Sequence, residues 1–409
     1  MSILLCDFAA ATGGKFVFAT GIECSYPTIT TRNGQRKRLD ELEKCFHYRF
    51  WREDLALTRE IGLSYLRYGP PYYRIHTGAD SYDWAFTDEV FAEMRRLKLT
   101  PIVDLCHFGV PDWVGNFQNP DWPVLFAGYA RRFARRYPWV QFYTPVNEIY
   151  VCAKLSALRG FWNEQLHSEL GFLTALKHLC KANLLAIRSI LEERSDAIFI
   201  QSESAEYYHE GSPSPDVREV VSFENRRRFL SFDFIYSRPV DEPVRKYLRE
   251  NGMTDAEYDW FMRHGLSERI VMGNDFYERN EQMVRRGGEI EPAGVIYGWY
   301  LLTREYYARY QRPVMHTETN NIGAGAEDAP RWLWIQFLNV RLMRSEGAPV
   351  LGFTWFSLTD QMDWDVALSD ERSLVNPVGL YDLQRRPRPV AAAYREIVRE
   401  YQDQLPIGP

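Results

Sequence analysis

Three stretches decide the fold: Ser64-Tyr65-Leu66-Arg67-Tyr68, the run over residues 86–97, and Pro101-Ile102-Val103-Asp104-Leu105. The first and third are short, apolar and β-rich, and the middle one places its apolar residues at helical spacing. A strand, an amphipathic helix and a second strand make the repeating unit of a parallel sheet. Outward from this unit the same alternation runs through the chain. Strand candidates fall at 16–22, 64–68, 101–105, 141–145, 197–202, 270–273, 313–317 and 350–356. Helical patterns lie between or after them, clearest at 52–61, 86–97, 124–137, 167–193, 295–310, 330–346 and 389–401. Eight strands each followed by a helix predict an α/β fold of the (β/α)8 TIM-barrel class.

The chain has 409 residues, and such barrels run from about 250 to over 400 residues as one unit. No Ser/Gly-rich linker divides it, so residues 1–409 read as a single barrel domain. The unequal interval is 203–269, a charged, Pro-containing stretch after strand five with helical patterns but no strand of its own. Insertions in barrels collect in the loops that follow strands, so this one is expected to shape the cleft.

Composition narrows the class. Hydrophobic residues at 45% and charged residues at 25% fit a globular protein with a large core and exclude a disordered one. Net charge is −6, and the runs Arg131-Arg132 and Arg226-Arg227-Arg228 sit among acidic residues, so no nucleic-acid partner is expected. The six cysteines show no C-x-x-C pair and read as mostly buried free thiols of a reducing compartment. The N-terminus lacks a basic leader and its apolar run is cut by Asp7, and no run reaches about 18 uninterrupted apolar residues. A cytoplasmic protein without a membrane partner is the expectation. Neither H-E-x-x-H, G-x-S-x-G nor a phosphate loop occurs, and Gly323-Ala324-Gly325 lacks the third glycine of a dinucleotide fingerprint. No metal and no cofactor are implied, and oligomeric state is left open.

In a barrel the strand C-termini converge on one mouth. Here they carry Arg67 and Tyr68 after strand two, His107 after three, and Asn147-Glu148 after four. Asp275 and Tyr277 follow strand six, Glu318 follows seven, and Asp360, Asp363 and Trp364 follow eight. Glycoside hydrolysis needs two carboxyl groups flanking the scissile bond, about 5–5.5 Å apart for retention and about 6.5–9.5 Å for inversion. Strands four and seven lie nearly across a barrel from each other, so Glu148 and Glu318 can oppose across a bound sugar. The 12 Trp and 25 Tyr suit a sugar cleft only in aggregate, since any one of them packs a core equally well.

The segment Thr144-Pro145-Val146-Asn147-Glu148-Ile149 resembles the T-x-N-E-P acid/base motif of glycoside hydrolase family 1. Residues 313–320, Pro-Val-Met-His-Thr-Glu-Thr-Asn, resemble its I-T-E-N-G nucleophile motif. Residues 49–68 are similar to its Y-x-E-D-I-x-L stretch ending in Y-R-F, His107 matches its strand-three histidine, and residues 352–364 follow its G-Y-F-x-W-S-L-x-D-N-x-E-W spacing. The resemblance spans nearly the whole chain and implies a retaining β-glycosidase acting on a carbohydrate or glycoside. Glu148 would be acid/base and Glu318 nucleophile. Asn147 would bond the sugar 2-hydroxyl, Arg67 would favour the ionised Glu318, and Tyr277 would position it. His107, Trp355, Asp363 and Trp364 would contact substrate, whereas Glu203 and Glu206, without a matching motif, read as loop charges. Three departures bear on the sugar. Strand one ends Gly21-Ile22-Glu23-Cys24 instead of Q-I-E-G, Asp363 stands where the family has Glu, and Phe356 takes the place of the strand-eight Trp, with Trp355 one residue earlier. Plain glucose in the first subsite is therefore not implied. A transglycosidase on the same scaffold and a non-catalytic carbohydrate-binding barrel remain alternatives.

Overall fold

The computed structural model describes residues 3–322 and 325–407; Gly323 and Ala324, and with them most of the Gly-Ala-Gly loop, lie outside the described residues. Eight strands form the barrel: β1 (Val17–Gly21), β2 (Tyr65–Tyr68), β3 (Thr100–Asp104), β4 (Phe142–Thr144), β5 (Ile198–Ser204), β6 (Ile270–Asp275), β7 (Val314–His316) and β8 (Val350–Phe356). Every neighbour pair is parallel, and β8 closes on β1 with Val17 opposite Gly352 and Gly21 opposite Phe356. All eight expected strands are present, with ends shifted by at most two residues.

Side chains alternate across each strand, so every second residue enters the lumen. Its lower part is apolar: Val17, Ala19, Ile102, Phe142, Ile198, Ile200, Val271, Met315 and Leu351 form one buried cluster. The helix Ile3–Thr12 closes this end by inserting Leu4 and Phe8, with the Phe8 ring edge-on to Phe142 at 5.7 Å. Continuing in steps of two, Tyr65 leads to Arg67, Ile102 to Asp104, Ile200 to Ser202, and Val271 through Gly273 to Asp275. All four polar residues are buried. The lumen thus changes from apolar to ionic on the way to the strand C-termini, where a charge is retained only if it is paired.

The outer layer follows the expected pattern, from His47–Glu60 after β1 to Pro389–Tyr401 after β8. The helix Glu169–Glu193 has the length and apolarity of a membrane span, yet most of it is buried against the barrel and the helix Trp122–Arg136.

The interval 203–269 differs from expectation. β5 runs on to Ser204, and Tyr207–Glu210 is a strand. It pairs in parallel with Glu281–Val284, which in turn pairs antiparallel with Ile290–Pro292. Its hydrogen-bonding partner lies more than seventy residues further on, so no local pattern reveals the pairing. Helices Pro215–Arg227, Leu230–Ile235, Glu242–Glu250 and Asp255–His264 fill the rest, while Ser204 and Glu206 from its start reach the cleft.

Candidate active site

Above the ionic layer opens a cleft of about 190 Å³, lined among others by Glu23, His107, Glu148, Tyr277, Glu318 and Trp364. This is below the roughly 300–1,000 Å³ of pockets for drug-sized ligands, and suits a single small ring. Phe108, Val151, Ile322 and Ala367 add apolar wall.

Arg67 organises the floor. One guanidinium nitrogen donates to Glu318 Oε1 and to Ser202 Oγ at 3.0 Å. The other donates to Asp104 Oδ2 at 2.9 Å and to Asn147 Oδ1 at 2.5 Å. Burial by itself would lower the Arg67 pKa, but Glu318, Asp104 and Asp275 outweigh it and the net shift is upward. Glu318 thus faces a fixed cation on one oxygen, and the Tyr277 hydroxyl donates to the other at 2.6 Å. The Glu318 carbonyl accepts from Phe276 N at 3.0 Å, tying the end of β7 to the end of β6.

Glu148 sits differently. Its backbone is left-handed, with φ 37° and ψ 61°, a conformation costing about 1–2 kcal/mol for a residue with a side chain. The turn is held from several sides. Glu148 N donates to Ser202 O at 2.9 Å, and the next two amides, Ile149 and Tyr150, donate to the Glu203 carboxylate at 3.0 and 3.2 Å. Burial raises the Glu148 pKa well above the ordinary carboxylate range, and Asp275, Glu318 and Glu203 raise it further. The two glutamates of one cleft are therefore in opposite environments, one clamped by donors and one desolvated among negative charge.

Asp275 is a third buried carboxyl at this level. It accepts from Ser202 Oγ at 2.5 Å, and burial followed by Glu318 pushes its pKa well up.

His107 lines the cleft, with Nδ1 at 2.8 Å from Asp104 Oδ2 and Nε2 at 3.0 Å from Asn147 Nδ2. Asn147 itself is fully buried, its amide engaged by Arg67 and His107, and it is not among the cleft-lining residues. Its amide braces the floor between Arg67 and His107. Cys24, Asp104 and His107 bring three ligand-type atoms within 4.8 Å of one another, but the Arg67 guanidinium already occupies Asp104 and opposes a cation there. Cys24, Cys45, Cys106, Cys152 and Cys180 are buried thiols.

Two expected contacts are placed elsewhere. Trp355 is fully buried away from the cleft, its indole donating to Val378 O at 3.1 Å. Strand alternation turns the next residue inward. The Phe356 ring packs 2.3 Å from where a Cβ on Gly21 would lie, so no side chain fits at 21, and it stacks on His107 at 6.2 Å. Asp363 also faces away from the cleft. Its carboxylate accepts from Lys44 at 2.9 Å and from the amides of Arg372, Ser373 and Leu374 at 3.1, 3.1 and 2.7 Å. One methylene shorter than Glu, it staples the loop after β8. Trp364 does line the cleft, edge-on to Trp162 at 6.1 Å.

Glu203 and Glu206 are no loop charges. Glu203 caps the turn at Glu148, and Glu206 pairs with Lys154 at 2.6 Å on the cleft wall. The missed signal is strand parity: with β5 extended to Ser204, Ser202 and Ser204 point inward while Gln201 and Glu203 face the segment after β4.

The family model described as glycosyl hydrolase family 1 matches residues 12–255. β-Glucosidase A of Thermotoga maritima is 23% identical over 369 residues, covering 81% of this chain and 81% of that one. A 6-phospho-β-glucosidase of Dickeya chrysanthemi is 24% identical over 406 residues, covering 86% of this chain and 84% of the relative. The solved family 1 β-glucosidase of Thermotoga maritima shares the fold at a TM-score of 0.78 and 16% identity, over 94% of this chain and 97% of that one.

Proposed function

The chain belongs to glycosyl hydrolase family 1, and from that premise we propose a retaining β-glycosidase with Glu318 as nucleophile and Glu148 as acid/base. The observation that carries the reading is the opposition of environments on one cleft. Glu318 accepts from Arg67 and Tyr277, while burial and neighbouring carboxylates hold Glu148 in the protonated form.

In the first step a Glu318 oxygen attacks the anomeric carbon as the bond to the leaving oxygen breaks, and Glu148 gives its proton to that oxygen. The product is a glycosyl ester on Glu318. Loss of the Glu318 charge then relieves Glu148, whose carboxylate takes a proton from water as the water oxygen displaces Glu318. Arg67 and Tyr277 stabilise the carboxylate as it leaves. His107, braced by Asp104 and Asn147, presents a fixed edge to the sugar, and the apolar wall of Phe108, Val151, Ile322 and Trp364 suits an apolar aglycone.

A panel of aryl β-glycosides (glucoside, galactoside, fucoside, mannoside, xyloside, glucuronide), run with Glu148→Gln and Glu318→Gln beside wild type, tests the reading. Turnover of one glycoside, lost in both variants, supports it; undiminished turnover in Glu318→Gln overturns it. Binding without turnover in wild type would favour a carbohydrate-binding barrel, and transfer to an added acceptor in place of water a transglycosidase.

A further inference from the structure

Two polar side chains on the cleft wall have no part in the chemistry above. Glu23, just past β1, is 2% exposed and Gln361, after β8, is 3% exposed, and both line the cleft. Three donors converge on Glu23: Ser25 N at 2.9 Å and Ser25 Oγ at 2.5 Å reach Oε1, and Gln361 Nε2 reaches Oε2 at 3.2 Å. Burial raises the Glu23 pKa, against which His107 and the Ser25 donors act, and all three of these contacts use its carboxyl oxygens as acceptors. It still has acceptor capacity on Oε2, since a carboxylate offers about four lone-pair sites. Gln361 keeps a second N–H, and its carbonyl oxygen takes no hydrogen bond among the described residues. On the same wall the Trp364 indole N–H is buried without a partner. A donor and acceptors without protein partners, set beside a small cleft, are what a polyhydroxyl ring requires, because each ring hydroxyl both donates and accepts.

Charge sharpens the assignment. Among the described residues no Lys or Arg lies within ion-pair distance of Glu23, whereas Glu318 pairs with Arg67 and Glu206 with Lys154. The one Lys or Arg among the cleft-lining residues is the exposed Arg279, which donates to the Asp365 carbonyl. Against the effect of burial, Cys24 and Asp104 raise the His107 pKa well above the usual imidazole range, and that ring is already paired with Asp104. A phosphate or carboxylate on the sugar would meet a buried carboxylate that no Lys or Arg offsets.

We propose that Glu23 and Gln361 form the hydroxyl-reading edge of the cleft and select an uncharged glycoside over a 6-phosphorylated or uronic one. The assignment rests on the glycosidase reading, and binding tests it without turnover. Calorimetric titration of Glu318→Gln would use 4-nitrophenyl β-glucoside, β-galactoside and β-xyloside, against the β-glucoside 6-phosphate and the β-glucuronide. At least one neutral probe binds about tenfold or more tightly than both anionic ones, and adding Glu23→Gln or Gln361→Ala weakens it about tenfold with an unchanged melting temperature. Gln361→Ala leaves no charge behind and keeps the test readable if Glu23→Gln does not fold. Equal or tighter binding of an anionic probe, no binding of any neutral one, or undiminished affinity in the folded variants overturns the proposal. Selective binding with no turnover in wild type would remove the glycosidase reading and leave the edge standing; turnover without selectivity would do the reverse.

Discussion

The ends of β2, β3, β4 and β7 and the ends of β1 and β8 face one cleft but follow different rules. The first group, Arg67, His107, Asn147 and Glu318, forms a single hydrogen-bonded floor in which each charge has its partner. In the second group Gly21 has no side chain, Phe356 fills the space beside it, and Asp363 is committed to its own loop. The floor is constrained because moving any member of a buried ionic network leaves another charge unpaired. The wall carries no such debt, so it can change with the sugar while the reaction is kept.

If this contrast holds, floor substitutions should cost the chemical step, and wall substitutions should cost loop stability or affinity for the sugar. The largest effect belongs to Glu318→Ala. Hydrolysis of the best aryl β-glycoside falls by about 10⁴-fold or more, and external azide partly restores turnover as the inverted glycosyl azide. Next comes Arg67→Met, which strands Glu318 and Asp104 as buried carboxylates. Denaturant unfolding should show a loss of about 3–5 kcal/mol together with loss of activity. Tyr277→Phe removes one bond to Glu318 worth about 1.5–3 kcal/mol in the transition state, so kcat falls about ten- to a hundredfold while melting hardly moves.

Asp363→Asn probes the wall. It weakens a loop staple, lowering the melting temperature with KM for the sugar unchanged; a raised KM at constant stability would return Asp363 to the subsite. The smallest effect is a shift of pH profile in Asp275→Asn. Glu148 works as an acid only while protonated, so activity falls as pH rises through its pKa. Removing Asp275 removes one of the causes that raise that pKa, and the basic limb of kcat/KM should move to lower pH. A limb that stays in place would show that burial, Glu318 and Glu203 set it without Asp275.

The barrel was legible because every strand carries its own apolar run and every helix its own period, both local signals. The strand Tyr207–Glu210 was not, because its partner begins at Glu281. In the site, Arg67, Glu148, Tyr277 and Glu318 follow from their places after strands. Trp355 and Phe356 are adjacent in sequence and opposite in space, so a one-residue choice of face decided which one packs against His107 and Arg67. Asp363 matches by position, but its shorter side chain is taken up by three backbone amides that lie nine to eleven residues further on. Glu203 was missed because capping the turn at Glu148 depends on strand five running past its apolar core.

The double displacement at Glu318 is tested most directly by following the anomer first released. Proton NMR of wild-type protein acting on its fastest aryl β-glycoside, read before mutarotation, should show the β-sugar appearing first. Initial release of the α-sugar would mean that water attacks directly, and Glu318 would then be a base and not the nucleophile.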